Sequence, residues 1–342
     1  MNNIREALSR KEKTGGTLPV QLGRVTAKTT AKGAPYLDVE IGDSTCVATL
    51  KFWQDTQAFR VAKESGPGFY RISGEFFKGD YGLECSDPRL AAMGDVEVEE
   101  FLQGGEIGKE STKENLDFIL DTVREMEVLP LKTFMGDLLG RKAVIERLVR
   151  SAAARRNHHA RRGGLLAHTS SMLRVAKSVC PCYPLVVPDL VYCGVICHDL
   201  GKIVENDTGS GFVPQLSVTG ELLGHINVAI EMVNRQWKES AAGTPEAFSG
   251  KHADLWRQHL LHLVASHHGT KEWGSPVTPK TPEAQLLHAI DNLDAKIEMF
   301  SDIYAAAGAE PDAGAGAGAK IYEGGRLVGG SVISPPRYLL AD

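Results

Sequence analysis

A short apolar run that ends in a histidine and an aspartate constrains this chain more than any other feature. Leu190 to Cys197 reads LVYCGVIC, which is apolar on every side of a helix and predicts a helix buried in a core. His198 and Asp199 follow it directly, and Gly201 is expected to end the helix, as glycine commonly does. A buried imidazole and a buried carboxylate are costly unless they are paired or coordinated. The fold must therefore bring other polar groups to this helix end.

Further histidines and an aspartate lie in apolar stretches with helical periodicity. Eleven histidines occur, and none of them precedes residue 158. Any one of them alone is better explained as a hydrogen-bonded core residue. Because each lies on a separate predicted helix, the whole series predicts one shared site. Its members are His168, His198 with Asp199, His225, the pair His267 and His268, and Asp291.

The first part of the chain alternates as strands do. Leu37, Val39 and Ile41 alternate with polar residues, and Gly23 predicts a bulge or bend within the first strand. The predicted order is three strands, a short helix near residues 54–64 and two more strands. This is the order of an OB-fold, a five-stranded barrel that binds oligonucleotides.

Two residues of the third strand are predicted to contact a nucleic acid. Trp53 and Lys51 lie on the same face of that strand, opposite the face of Leu50 and Phe52. Single-strand binding combines base stacking on aromatic rings with basic residues that follow the phosphates. Most other aromatic side chains of this part are expected in the barrel core.

These patterns predict a multidomain protein in which an all-β, OB-like barrel precedes an all-α domain. The chain has 342 residues, which is long for one core. An acidic stretch with glycines separates the two parts, and the Ala- and Gly-rich tail is expected to be flexible. The predicted parts are 1–93 (barrel), 94–110 (linker), 111–304 (helical domain) and 305–342 (tail).

Charge and cysteine content bear on partners and location. The formal net charge is −5, so a polyanionic substrate must be met by local basic patches such as RRNHHARR at 155–162. The N-terminus MNNIREALSRKEK has no apolar segment, which argues against secretion. The six cysteines are then expected to be reduced thiols in a cytoplasmic protein. No apolar run reaches the roughly 18 residues that a membrane span needs.

Several motifs together resemble one family. HHARRGGLLAHT, GVICHDLGKIVE, LLGHI, SHHGTKEWGSP and AIDNLDAK are similar to the HD domain of the YhaM family of 3′→5′ exoribonucleases, over residues 110–300. The run His198-Asp199-Leu-Gly-Lys202 is shared across HD phosphohydrolases, whereas SHHGTKEWGSP and AIDNLDAK are more specific to the family. The resemblance implies a cytoplasmic enzyme that trims single-stranded RNA, and some DNA, with manganese or similar divalent ions.

The resemblance also implies roles for individual residues. Asp199 would bridge two ions, and one or both members of the His267–His268 pair would bind the second. Lys202 would place a charge on a phosphate oxygen; alternatively, it only neutralises the helix end. The implied first-ion ligands are His168, His198, Asp199 and Asp291, with His225 and the histidine pair on the second ion. Mixed imidazole and carboxylate ligands suit manganese, iron, cobalt or zinc rather than magnesium. The predicted substrate contacts in the basic patch are Arg156, His158, His159 and Arg161.

The chain departs from the family pattern in two places. Ala167 stands where family members usually have a glutamate, directly before the first ligand histidine, and the Ala- and Gly-rich tail differs from the usual C-terminus. Neither difference removes a metal ligand. Two other functions stay open: an HD-type phosphodiesterase of cyclic dinucleotides or nucleotides, and a non-catalytic single-strand-binding protein. The preference between RNA and DNA and assembly into a homo-oligomer are also open.

Overall fold

A computed structural model describes residues 1–79, 82–103, 109–153, 162–207, 211–306, 320–323 and 326–329. Within these ranges, the N-terminal part is mainly sheet and the part after residue 94 is mainly helix. The structure therefore confirms the predicted fold class, an OB-like all-β part followed by an all-α part. None of the described helices has both the length and the apolar character required to cross a membrane.

The N-terminal part is one antiparallel sheet of five strands in the order β3-β2-β1-β4-β5. A helix between β3 and β4 completes the OB-like order, and β3 also contacts β5, which curls the sheet. The register of β1 against β2 shifts between Leu22 and Val25, which confirms the bulge predicted at Gly23. The strands are β1 (Thr14–Thr29), β2 (Pro35–Gly42), β3 (Val47–Trp53), β4 (Gly68–Gly79) and β5 (Gly82–Ala92).

Helices form nearly all of the C-terminal part. The last long helix begins at Pro282, as the Thr-Pro-Glu sequence at its start predicts. The helices of the described chain are α1 (Ile4–Ser9), α2 (Gln57–Ser65), α3 (Asp95–Gln103), α4 (Lys109–Glu125), α5 (Leu129–Gly140), α6 (Lys142–Arg150), α7 (Gly164–Val179), α8 (Pro188–Cys197), α9 (Lys202–Glu205), α10 (Val218–Gly243), α11 (Ala253–Ser266) and α12 (Pro282–Ala306).

Two predicted irregular segments contain regular structure. The stretch predicted as a linker includes α3, and α12 runs past the predicted domain end to Ala306. The tail, which the sequence predicts to be flexible, includes a hairpin of β8 (Lys320–Glu323) and β9 (Arg326–Gly329). Another two-stranded pair, β6 (Asn206–Asp207) and β7 (Gln215–Leu216), lies inside the helical part.

Each part has its own apolar core. In the sheet, the alternating side chains of β2 and β3 are buried on one face, with Leu50 and Phe52 fully inside. In the helical part, α8 is buried on all sides and packs against α7, α11 and α12. Its central position places His198 and Asp199 at the middle of the helical part.

A loop of the helical part packs into the barrel. The side-chain oxygen Oε1 of Gln21 on β1 accepts hydrogen bonds from the backbone N–H groups of Phe212 (2.5 Å) and Val213 (2.9 Å). Val213 fills the space beside Gly23 and Gly42, since a Cβ at Gly23 would lie 2.4 Å from its Cγ1 atom. Both Phe212 and Val213 are buried. Phe212 and Val213, which shortly precede β7, thus join the two parts.

Candidate metal centre

The predicted ligands come together from five helices. His198 and Asp199 lie at the end of α8, and His267 and His268 at the end of α11. The others lie within helices: His168 on α7, His225 on α10 and Asp291 on α12. Four of these seven residues are buried, and a polar side chain is costly to bury unless it is hydrogen-bonded, paired or coordinated.

Two glycines bring α10 close to the turn that follows α8. Gly201 adopts a right-handed conformation (φ −61°), so it does not end α8 in the left-handed way in which glycine commonly ends a helix. Its role is close approach: a Cβ there would lie 1.9 Å from the carbonyl oxygen of His225. Gly224 has φ +69° and ψ 156°, a backbone conformation that residues other than glycine rarely adopt. It produces a kink in α10 directly before His225. The contact between Gly201 and α10 places His225 near Asp199.

The first group consists of His168, His198 and Asp291. One possible ligand atom from each lies within 4.8 Å of the others. Oδ1 of Asp291 is 3.3 Å from Nε2 of His168 and 4.0 Å from Nε2 of His198. Two imidazoles and one carboxylate at this spacing can hold one divalent ion.

The second group consists of His225, His267 and His268. Their ligand atoms also lie within 4.8 Å of one another. The ring centroids of His267 and His268 are 4.3 Å apart, and that of His268 is 5.2 Å from that of His225. Both members of the consecutive pair therefore face this group.

Asp199 lies between the two groups. Its Oδ2 atom is 3.3 Å from Nε2 of His198 and 3.9 Å from Nε2 of His168. Its Oδ1 atom is 3.4 Å from Nε2 of His225 and 3.7 Å from Nε2 of His267. One carboxylate oxygen thus faces each group, which is the arrangement of a ligand that bridges two ions.

Backbone carbonyls hold three of the imidazoles in place. A carbonyl oxygen only accepts hydrogen bonds, so each of these rings donates from Nδ1 and turns the lone pair of Nε2 toward the site. The pairs are His198 with Val195 (2.7 Å), His267 with Val264 (2.8 Å) and His268 with Trp273 (2.8 Å).

Carboxylates hold the other two imidazoles. Asp294 Oδ2 lies 2.7 Å from Nδ1 of His168, and its other oxygen accepts a hydrogen bond from Ser171. Glu205 Oε1 lies 3.4 Å from Nδ1 of His225 and accepts the backbone N–H of the same residue at 3.0 Å. Such outer carboxylates orient imidazole ligands and raise their basicity. No sequence motif singles out Asp294 or Glu205, although Asp294 follows Asp291 by one helical turn.

Several buried polar atoms of the site have no hydrogen-bond partner, as expected of atoms that coordinate a metal. Six buried side-chain polar atoms of the described residues lack a partner, and four of the six point into the two groups. Leaving a buried polar atom unsatisfied costs about 1–3 kcal/mol. Coordination to divalent ions would satisfy all four. These atoms are Nε2 of His198, His225 and His267, and Oδ1 of Asp199.

Both aspartates of the site remain ionised. Burial alone would raise the pKa of Asp199, but Lys202 and then His198 hold it well below its usual value. Burial also acts to raise the pKa of Asp291, but the hydrogen bond with His168 and the nearby imidazoles lower it further than burial raises it. Lys202 is largely buried, and its Nζ donates to Oδ2 of Asp199 at 2.6 Å. It therefore contacts the site directly.

His168 of the first group and His267 of the second differ in charge. Burial opposes protonation of His168, yet the hydrogen bonds with Asp291 and Asp294 raise its pKa to about 9. Burial lowers the pKa of His267 well below its usual value, so this ring is neutral. Since a metal binds the deprotonated imidazole, an ion in the first group must displace the proton of His168.

The predicted substrate contacts fall in two places. Trp53 is 40% exposed at the end of β3, its ring centroid is 5.3 Å from that of Tyr36, and Nζ of Lys51 lies 5.9 Å from the Tyr36 centroid. These three side chains form one exposed aromatic and basic surface. The other predicted contacts lie outside the described residues; they are Arg156, His158, His159 and Arg161.

Comparisons with known proteins agree with this geometry. The family model of the HD domain matches residues 165–296, which include all seven candidate ligands. The chain is 33% identical over 282 residues to the "3′-5′ exoribonuclease YhaM" of Oceanobacillus iheyensis, covering 80% of this chain and 82% of the relative. It is 34% identical to the protein of the same name from Bacillus licheniformis (79% and 81% covered) and 32% identical to that from Bacillus subtilis (79% and 81%). No solved structure matches the chain.

Proposed function

The chain belongs to the YhaM family of 3′-5′ exoribonucleases, and on this premise we propose that it hydrolyses single-stranded RNA from the 3′ end with the help of two divalent ions. The products are nucleoside 5′-monophosphates. The sheet binds the strand, and the helical part cleaves the phosphodiester bonds.

The position of Asp199 is the observation that supports this function most strongly. Its two oxygens face two separate ligand groups, each of which can hold an ion. Two ions in such groups would activate a water molecule and neutralise the charge on the phosphate that is attacked. A site that only stabilised the fold would need one closed set of four ligands rather than two groups that share a carboxylate.

Hydrogen bonds within the protein orient the candidate ligands before substrate binds. The hydrogen bonds from Nδ1 fix the imidazole rings, so that the Nε2 lone pairs converge without rearrangement. Lys202 is proposed to act with Asp199: it keeps the carboxylate ionised, and its ammonium group lies where it can meet a phosphate oxygen. Neither of these two roles of Lys202 requires a 2′-hydroxyl group on the substrate. The proposal therefore includes single-stranded DNA as a second substrate.

The proposed substrate path runs over the exposed surface of Trp53, Lys51 and Tyr36. Base stacking on an aromatic ring is tolerant of sequence, as degradation from an end requires. The basic patch with Arg156, His158, His159 and Arg161 stays part of the proposal as a phosphate contact.

The donor set and the cysteines bear on the metal and the location. Five imidazoles and two carboxylates suit manganese, iron, cobalt or zinc, and we propose manganese. All six cysteines are free thiols, which fits the proposed cytoplasmic location.

A degradation assay with defined RNA ends tests the function. With Mn²⁺, a 5′-labelled single-stranded RNA should give a descending ladder, and a 3′-phosphate or a stable 3′ duplex should slow it. A circular RNA of the same sequence and a cyclic dinucleotide should persist. Asp199→Ala serves as the inactive control. Cleavage of the circle as fast as the linear strand, or shortening from the 5′ end, would contradict the proposal.

A further inference from the structure

Trp273 is an exposed aromatic side chain beside the second ligand group. Trp273 is 57% exposed. Burial of such a large aromatic side chain would stabilise the fold. By contrast, Trp237 is 4% exposed and packs against Phe134 and Phe248 in the helical core. The exposure of Trp273 is therefore not explained by packing. Trp273 lies beside the second ligand group, where an exposed aromatic face can stack on a bound base.

The backbone around Trp273 is held firmly. Lys271–Trp273 forms a single 3₁₀ turn, closed by hydrogen bonds from the N–H of Trp273 to the carbonyl of Thr270 (3.2 Å) and from the N–H of Gly274 to that of Lys271 (2.9 Å). The buried hydroxyl of Ser275 then donates to the carbonyl of Val277 at 2.7 Å. A rigid turn can present an aromatic face at low entropic cost when a ligand binds.

Trp273 is linked to both histidines of the consecutive pair. Its carbonyl accepts the Nδ1–H of His268 at 2.8 Å. Its ring centroid is 6.0 Å from that of His288, and Nδ1 of His288 donates to the carbonyl of His267 at 2.8 Å. The backbone of Trp273 is thus hydrogen-bonded directly to His268. Its indole ring is connected to His267 through the imidazole ring of His288. These contacts place the exposed tryptophan next to the group that would meet the phosphate of a bound nucleotide.

We propose that Trp273 is the platform on which the 3′-terminal nucleobase of the strand stacks, and that this contact seats the nucleotide to be removed. The inference rests on the proposed function. An exonuclease must hold the terminal nucleotide in every productive complex, whatever its base. Stacking meets this need because every nucleobase has a π-face.

The test compares two RNA strands that differ only in the base at the 3′ end. Both carry a 5′ label; one ends in an intact nucleotide and the other in an abasic ribose. First-cleavage rates are measured with Mn²⁺ for wild type, Trp273→Ala and Trp273→Phe. On the intact strand, Trp273→Ala should lower kcat/KM about 5- to 150-fold, since one stacked base contributes that much by alanine substitution. Trp273→Phe should retain most of the wild-type value. On the abasic strand, wild type and Trp273→Ala should be equal.

Controls separate stacking from structural damage. Tyr183→Ala removes another exposed aromatic side chain (54%) and should leave both rates unchanged. Bound manganese per chain is counted for Trp273→Ala, because its carbonyl holds His268. A lost ion, an equal loss on both strands, or an unchanged rate on the intact strand would overturn the inference. Failure of the proposed function is distinct, since it would show as a wild-type protein that shortens neither strand.

Discussion

Asp294 offers the sharpest prediction because it acts on one ligand group only. Its Oδ2 atom lies 2.7 Å from Nδ1 of His168, and its side chain is 9% exposed. Removal of such an outer hydrogen-bonding partner typically costs 10- to 100-fold in metal affinity, which is about 1.4–2.7 kcal/mol. Asp294→Ala should therefore weaken binding to the first group by about this factor and leave the second group unchanged.

The conservative change should preserve most of the affinity. In Asp294→Asn the amide oxygen can still accept the Nδ1–H of His168, and the amide nitrogen can donate to the hydroxyl of Ser171. We therefore expect Asp294→Asn to fall between wild type and Asp294→Ala.

Calorimetric titration of the metal-free protein with Mn²⁺ measures the two affinities separately. Glu205→Ala is the matched control, because Glu205 contacts His225 and should weaken the second group instead. Equal weakening of both sites by Asp294→Ala, or no weakening at all, would refute the assignment of the outer carboxylates.

Three further predictions concern the second ion, the backbone contact and the sheet. His225→Ala should reduce bound manganese from two ions to one per chain, as counted by elemental analysis; two retained ions would contradict this. Gly201→Ala should lower the thermal midpoint and the content of the second ion, because a Cβ would lie 1.9 Å from the carbonyl oxygen of His225; wild-type values for both would show that α10 can move away from the turn after α8 without cost. Trp53→Ala should weaken binding of single-stranded RNA about 5- to 150-fold in a titration with metal-free protein, and the wild-type affinity should fall as salt rises; unchanged affinity would exclude the sheet as the strand platform.

The sequence predicts those features that depend on local patterns. The alternation in β2, the bulge at Gly23 and the start of α12 at Pro282 each follow from residues close together in the chain. The set of candidate ligands also follows from the sequence, because a polar residue within an apolar helix is conspicuous and seven such residues form a series.

Features that depend on contacts between distant segments were not accessible in this way. Gly201 was predicted to end α8, whereas it allows the close approach of α10, a partner that the local sequence does not reveal. In the sequence, Asp294 and Glu205 look like ordinary surface residues. Only the folded structure shows that they contact Nδ1 of His168 and of His225. The seating of Val213 in the barrel likewise depends on residues that are about 190 positions apart in sequence.

The number of manganese ions bound by Asp199→Ala tests the central claim most directly. Wild type should hold two ions per chain, because one oxygen of Asp199 faces each ligand group. Removal of this carboxylate should empty both groups or leave at most one weakly held ion, with loss of RNA hydrolysis in the same sample. Two tightly bound ions in Asp199→Ala would contradict the bridging role on which the account depends.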